Sequence, residues 1–243
     1  MNLVIDIGNT LTKVAIFSNN QIIFNNNYDS LTATHIQNLL NKYNIVNSII
    51  AEVKNFDAAL QLMLTEKTNF FTLNGNTNLP FNNLYATPTT LGKDRIAVIS
   101  AASKLFSGTN VLVIDVGTCI TFDLIDVNNN YSGGAISPGL NMRLKALQHF
   151  TGKLPLVELE EEDTPKFIGD STINSIKSGV FYGIKHEIEG VINAYDEQYD
   201  DLKIVLTGGN AERFELAPKN RIFADKFFVL KGLNEILNEN AKI

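Results

Sequence analysis

Two short stretches, a constant 109 residues apart, repeat one pattern and restrict the fold more than any other feature of this chain. Leu3-Val4-Ile5-Asp6-Ile7-Gly8 is an apolar run that ends in an acid, with a glycine two residues on. Leu112-Val113-Ile114-Asp115-Val116-Gly117 repeats it. At the same offset Thr12 falls on Thr121, and Asn19-Asn20 falls on Asn128-Asn129. Each apolar run reads as a buried strand, and each glycine opens the turn into the next strand. Two copies of a strand–Asp–x–Gly–polar hairpin predict two similar domains, residues 1–108 and 109–243, facing each other across a cleft.

The first turn has the residues of an anion site. Gly8, Asn9 and Thr10 form a tight polar turn whose backbone N–H groups are expected to be unpaired and to converge on one spot. Asp6 cannot neutralise a phosphate, but it can hold a Mg²⁺ that bridges phosphate oxygens. Lys13 adds a point charge. An ordinary hairpin with a polar turn would account for the first stretch alone. The second copy is what favours paired phosphate loops.

Composition excludes several classes. At 243 residues the chain can bury a large core. A net charge of −6 with no block of Lys and Arg argues against a nucleic-acid surface. Cys119 is the single cysteine, so no internal disulfide is possible, and a reducing, cytoplasmic setting is expected. The chain opens on a strand pattern without a basic n-region or cleavage site, so no signal peptide is expected; the most apolar stretches, such as Val111 to Val127, carry Asp115, Asp123 and Asp126, so no membrane span is expected. His35, His149 and His186 are scattered and do not resemble a zinc site.

Along the chain, the hairpin continues through residues 12–18 and 21–28 with a turn at Ser18-Asn19-Asn20. Leu31 to Tyr43 reads as a helix capped by Ser30. A strand at 46–51, a helix at 56–67 and a strand at 70–73 follow. Three meander strands and then alternating helix and strand is the order of a ribonuclease-H-like domain. A polar loop, 74–88, holds Tyr85. Thr89 or Thr90 suits an N-cap for the helix behind it, which places Gly92-Lys93-Asp94-Arg95 in its first turn. In the second half, strands are expected at 111–117, 119–126 and 130–136. Ser137-Pro138-Gly139 leads into a helix at 140–150. The run Glu160-Glu161-Glu162-Asp163 reads as solvated surface. A long helix runs from Ser171 to about Asp196, and Thr172 sits at its start, where its hydroxyl could cap the helix or face the cleft. The strand at 202–206 ends in Thr207-Gly208-Gly209-Asn210, a turn on which a flat ring could lie. Phe227-Phe228-Val229 reads as a last strand and 230–238 as a closing helix.

Taken in order, Asp6-x-Gly-Asn-Thr10, Gly92-Lys-Asp-Arg95, Asp115-x-Gly-Thr118 and Thr207-Gly-Gly-Asn210 make the sequence resemble type III pantothenate kinase, of the acetate kinase / sugar kinase / Hsp70 / actin superfamily. The first and third motifs indicate the superfamily. Gly92 to Arg95, with Ser137-Pro138-Gly139 and Ile176-Lys177-Ser178-Gly179, indicates the family. The resemblance implies an α/β fold of two ribonuclease-H-like (actin-like ATPase) domains with mixed sheets. It also implies ATP phosphates held by Asp6, Ile7, Gly8, Asn9, Thr10, Leu11, Thr12 and Lys13, with Thr118 contacting them from the second domain. Asp115 would coordinate a monovalent cation, K⁺ or NH₄⁺. Mg²⁺ would accompany ATP near Asp6. Tyr85, Gly92, Lys93, Asp94, Arg95 and Thr172 would contact pantothenate, and Asp94 would be the general base. A homodimer is implied as well. The chain departs from the family pattern at Ser171-Thr172, where Asn-Thr is expected.

The implied reaction moves the ATP γ-phosphoryl group to the primary hydroxyl of pantothenate, the first step toward coenzyme A. Two other readings are a different small-molecule kinase of the superfamily and a nucleotide-binding regulator that hydrolyses ATP slowly. Dependence of ATP turnover on an acceptor separates the last from the kinases.

Overall fold

The computed structural model describes residues 1–8, 11–52, 57–160, 163–216 and 222–241. The fold is mixed α/β, with two mixed sheets. The chain divides into two compact units. The first comprises 1–107, 128–132 and 227–243; the second comprises 108–127 and 133–226.

In the first unit, β1 (Asn2–Ile7), β2 (Thr12–Ser18) and β3 (Gln21–Tyr28) form the meander. Asn19 and Asn20, at the β2–β3 turn, both have positive φ (48° and 62°), which asparagine tolerates better than most residues. Helix α1 (Ala33–Lys42), strand β4 (Asn47–Glu52), helix α2 (Ala58–Lys67) and strand β5 (Asn69–Thr72) complete the alternation. The sheet order is β3-β2-β1-β4-β5, with β4 and β5 parallel to β1. Leu3, Ile5, Val14, Ile16 and Ile50 point into a core closed by Ile36 and Leu64.

Two local readings shift. α1 is capped by Thr32, not Ser30: Thr32 Oγ1 accepts from the His35 amide, and His35 Nδ1 accepts from the Thr32 amide. The reciprocal pair is a capping box with histidine in the place where Glu or Gln is expected. Asp57 caps α2, and Phe56, the expected start of that helix, lies outside the described residues.

The loop after β5 contains the two-residue strand β6 (Asn82–Asn83), which composition does not announce, and a 3₁₀ turn, Pro88–Thr90. Helix α3 (Lys93–Leu105) follows. In the second unit, β7 (Val111–Val116) and β8 (Cys119–Ile125) form the second hairpin and lead into β9 (Asn130–Pro138). Then come α4 (Leu140–His149), the long α5 (Thr172–Asp196), β10 (Lys203–Thr207) and β11 (Ile222–Ala224). The strand order is β11-β10-β7-β8-β9, and β10 is parallel to both β7 and β11. The first residues of β9 cluster with the first unit, where Asn130 and Tyr131 pair with β6. The α5 stripe, from Ile176 through Val180 and Ile184 to Ile192, is buried on the second core. Of the acidic run, Glu160 and Asp163 are described; Asp163 pairs with Lys177, which holds its carboxyl below the usual range.

The chain ends in α6 (Phe228–Asn240), so Phe227-Phe228-Val229 is the start of a helix and not a strand. The apolar run could serve either state. Packing decides: Phe228, Leu233, Ile236 and Leu237 are fully buried at helical spacing, and α6 lies on α3, β1, β2 and β4. Gly232 makes the crossing possible, because a Cβ there would stand 1.7 Å from the Ala97 carbonyl oxygen of α3. The expected last strand is supplied instead by β11, which the sequence reading passed over.

Candidate active site

Asp6 sits near the end of β1, opposite Lys13 in the antiparallel ladder. Partners in register share a face of the sheet, so carboxylate and ammonium lie side by side. Burial pushes the Asp6 carboxyl up to about 6. The Lys13 charge opposes that rise, and the Asp94 charge adds to it. Asp94 therefore lies within electrostatic reach of Asp6, although 88 positions separate them in sequence. Two carboxylates and one lysine in a partly desolvated corner form a site that attracts a cation or a cation-bound phosphate.

The turn itself departs from the expected array of free amides. The Gly8 N–H donates to Leu11 O at 3.1 Å, and the Gly117 N–H donates to Cys119 O at 2.9 Å. Each glycine amide closes its own turn and does not point outward. Asn9 and Thr10 lie outside the described residues. Leu11 is half-buried and Thr12 buried, so Thr12 faces the core side of the sheet.

Neither Thr89 nor Thr90 caps α3. The Thr90 hydroxyl bonds to Thr87 within the 3₁₀ turn, and the N-cap position is Gly92, without a side-chain cap. The Asp94 carboxylate serves the first turn instead, accepting from the Arg95 amide at 2.8 Å. Gly92 leaves room for that carboxylate: a Cβ there would lie 2.5 Å from Asp94 Oδ1, so a larger residue would push the Asp94 side chain aside. Lys93 is half-buried and Asp94 exposed at the helix start. Arg95 is almost entirely buried, with its guanidinium 5.6 Å from the centre of the Tyr85 ring. Tyr85 in turn stacks on the buried Tyr131 at 6.1 Å. The structure thus brings Asp6, Lys13, Asp94, Arg95 and Tyr85 into one unit, and it adds Tyr131, for which the sequence offered no signal.

The second hairpin is built differently. Asp115 faces Thr121 on β8 and Thr207 on β10. Both threonines are buried, and the Thr207 hydroxyl has no hydrogen-bond partner. Gly208, with φ +99°, presses its backbone on the Asp115 carboxylate: a Cβ would lie 2.4 Å from Oδ1 and 2.5 Å from the Val116 carbon. That close approach accounts for Gly208 without any nucleotide ring. Thr118 is exposed between Gly117 and Cys119. Ser171, not Thr172, caps α5, accepting from the Asn174 amide. This leaves the exposed Thr172 hydroxyl at the mouth of an apolar groove of about 850 Å³ between α4 and α5. Arg143 lines that groove, bound to Ser137 Oγ, Pro138 O and Glu187. Among the described residues, no three His, Cys, Asp or Glu come together to hold a metal, and no helix is long and apolar enough to cross a membrane.

Residues 2–194 match the family described as type III pantothenate kinase. A type III pantothenate kinase of Christiangramia forsetii is 46% identical over 242 residues, covering 99% of both chains. One from Bacteroides fragilis is 45% identical over 246 residues, covering 99% of this chain and 98% of its own. Among solved structures, a protein titled as a Baf family transcriptional activator from Campylobacter jejuni superposes with a TM-score of 0.56 at 25% identity, covering 99% of this chain and all of its own. Component A of (R)-2-hydroxyglutaryl-CoA dehydratase from Acidaminococcus fermentans shares the fold at 12% identity, with a TM-score of 0.51 and coverage of 100% and 99%. The chain belongs to the type III pantothenate kinase family.

Proposed function

We propose that this chain transfers the γ-phosphoryl group of ATP to the primary hydroxyl of pantothenate, giving 4'-phosphopantothenate, with Asp94 as general base. The observation that carries the reading is the grouping of Asp6, Lys13 and Asp94 within one unit: Lys13 stands opposite Asp6 in the β1–β2 ladder, and the Asp94 charge adds to the rise that burial gives the Asp6 carboxyl. Phosphoryl transfer asks for positioning and charge neutralisation more than for covalent chemistry. Lys13 and the turn residues Asn9 and Thr10 beside Asp6 would hold the phosphates, with Thr118 adding a hydroxyl from the second hairpin; the Gly8 amide, bound to Leu11 O, and the buried Thr12 would shape the turn. Asp94 would accept the proton of the attacking hydroxyl, worth on the order of 10²–10⁴ in rate. Tyr85, Gly92, Lys93 and Arg95, together with Thr172, would orient pantothenate.

The residues present fit both expected cations. Asp6 is a partly desolvated carboxylate with Lys13 and Asp94 in electrostatic reach, which suits a Mg²⁺ held mostly by ATP phosphates. The corner at Asp115 offers a carboxylate and the unpartnered Thr207 hydroxyl, an oxygen-only donor set that suits K⁺ or NH₄⁺. A bound cation would supply positive charge where phosphates and carboxylates otherwise repel. A homodimer would give cover to apolar side chains left exposed on the second unit, among them Phe150, Phe167, Ile168 and Ile173. A cytoplasmic location suits a reaction that consumes ATP. The deciding experiment is ATP turnover with and without pantothenate, in KCl and in NaCl. Turnover that requires both pantothenate and K⁺ supports the reading. Turnover indifferent to pantothenate removes it in favour of a nucleotide-hydrolysing regulator.

A further inference from the structure

Six asparagines scattered through the sequence meet at the end of the first sheet remote from Asp6. Asn2, Asn47 and Asn69 lie in register on the adjacent parallel strands β1, β4 and β5. Their side chains form a ladder, Asn69 donating to Asn47 and Asn47 to Asn2. From Asn2 the chain of amides closes into a ring. Asn2 Nδ2 donates to Asn234 Oδ1 at 2.9 Å and to Asn238 Oδ1 at 2.8 Å. The Nδ2 groups of Asn234 and Asn238 both donate to Asn20 Oδ1, at 3.0 and 2.9 Å. The amide atoms in the ring are matched donor to acceptor. Two of its members sit one turn apart on α6, one opens β1, and one forms the β2–β3 turn.

This ring fixes α6 in a way apolar packing cannot. Buried hydrophobic contacts tolerate sliding, whereas four hydrogen bonds of this geometry exist in one register only. A buried asparagine that selects register at some cost in stability is a known device in helix packing. α6 in turn holds α3. Gly232 meets Ala97 O in the first half of α3, and Glu239 pairs with Lys104 at its far end. Asn240 also binds both the amide and the carbonyl of Asn78, in the loop that leads to Tyr85. One strand thus carries Asp6 at one end and the ring at the other. The helix held by that ring is the one that holds Asp94.

We infer that Asn2, Asn20, Asn234 and Asn238 are positioning residues, which set the first turn of α3, and with it Asp94, against the end of β1. The inference rests on the assignment of Asp94 and Asp6 to the reacting centre. The consequence concerns turnover more than nucleotide affinity, because small displacements of a general base cost rate steeply.

The test compares Asn234→Leu and Asn20→Gly with Ile192→Val, a core substitution in α5 of the second unit. Asn20→Gly keeps the positive-φ turn and removes only the ring's shared acceptor, so it folds even where Asn234→Leu does not. For each, kcat and the KM for ATP are measured well below the melting temperature, together with amide hydrogen exchange at residues 93–97 and across α5. Both asparagine variants are expected to lose about tenfold in kcat, with the KM for ATP within about twofold. Exchange should quicken at 93–97 and not in α5, while Ile192→Val loses stability alone. Asparagine variants that melt earlier yet keep the wild-type kcat and wild-type exchange at 93–97 overturn the inference and leave the ring a purely structural clamp. If the unaltered protein turns over no pantothenate, the reaction assignment falls by itself. Exchange at 93–97 then still decides whether the ring positions α3.

Discussion

Four residues, 8–11, separate Ile7 from its ladder partner Thr12 in the first hairpin, whereas three, 117–119, separate Val116 from Ile120 in the second. The single extra residue changes what faces each acid. Asp6 looks across the ladder at Lys13, and Asp115 looks at Thr121. On its other side Asp6 has Ala51 of β4, while Asp115 has Thr207 of β10. One acid sits in a charged corner with Asp94 within reach; the other sits among hydroxyls. On the proposed assignment the same strand–Asp–x–Gly start serves two tasks, phosphate chemistry in the first hairpin and cation holding in the second. A duplicated motif marks a shared backbone, and the residues in register with it set the surroundings of each acid.

The sharpest way to break this comparison is Asp94→Asn. If acid–base work belongs to the first hairpin alone, turnover falls on the order of 10²–10⁴ with ATP affinity nearly unchanged. An unaltered rate in a pantothenate-dependent assay would refute it. Next in size is Lys13→Thr, which gives the first acid the partner that the second has. Loss of a phosphate-facing charge should lower kcat/KM for ATP by about ten- to a hundredfold. Because Lys13 holds the Asp6 carboxyl down, its removal should also carry the acidic limb of the pH profile upward from about 6. Asp115→Asn is expected to act through the monovalent cation. Activity in KCl should drop about tenfold, toward the level in NaCl, and the pH limb set by Asp6 should not move. Equal wild-type activity in both salts would take the cation role away from Asp115.

A fourth prediction concerns stability. The Asp6 carboxyl is raised from 3.8 to about 6, so between those values the folded chain binds more protons than the unfolded one. Stability then falls as pH rises through that window, and the ionised group costs about 1–3 kcal/mol at pH 7. Asp6→Asn should therefore raise the melting temperature of the nucleotide-free protein at pH 7 while lowering activity, and the gain should vanish near pH 4. No gain at pH 7 would mean that Asp6 is well solvated. The smallest effect belongs to Thr207→Val. It should raise the K⁺ concentration needed for half-maximal activity severalfold and leave kcat at saturating K⁺ within about twofold, since one neutral oxygen ligand is a modest loss.

Much of this site was legible because it is local. Asp6-x-Gly8, Asp115-x-Gly117 and Gly92-Lys-Asp-Arg95 are short patterns whose backbone demands are met within a turn, so residue type and spacing identify them. His35 shows how local rules can also mislead. The cap of α1 follows the capping-box logic, but with histidine in the reciprocal place, and it was missed for that reason. Tyr131 under Tyr85 and Thr207 beside Asp115 had no local signal, since each meets its partner through strand pairing with a distant segment.

The sequence by itself determined the two hairpins, the long α5 with its apolar stripe, and the presence of Asp94 in the first turn of a helix. Periodicity and turn chemistry act over a few residues and leave little choice there. Tertiary structure decided the state of Phe227-Phe228-Val229, the approach of Asp94 to Asp6, and the ring of asparagines. An apolar run of three suits strand or helix until something packs on it, and Gly232 lets α6 close on α3. An isolated asparagine has the residue type of a turn or a surface. Only when β1, α6 and the β2–β3 turn converge do four such amides find one another.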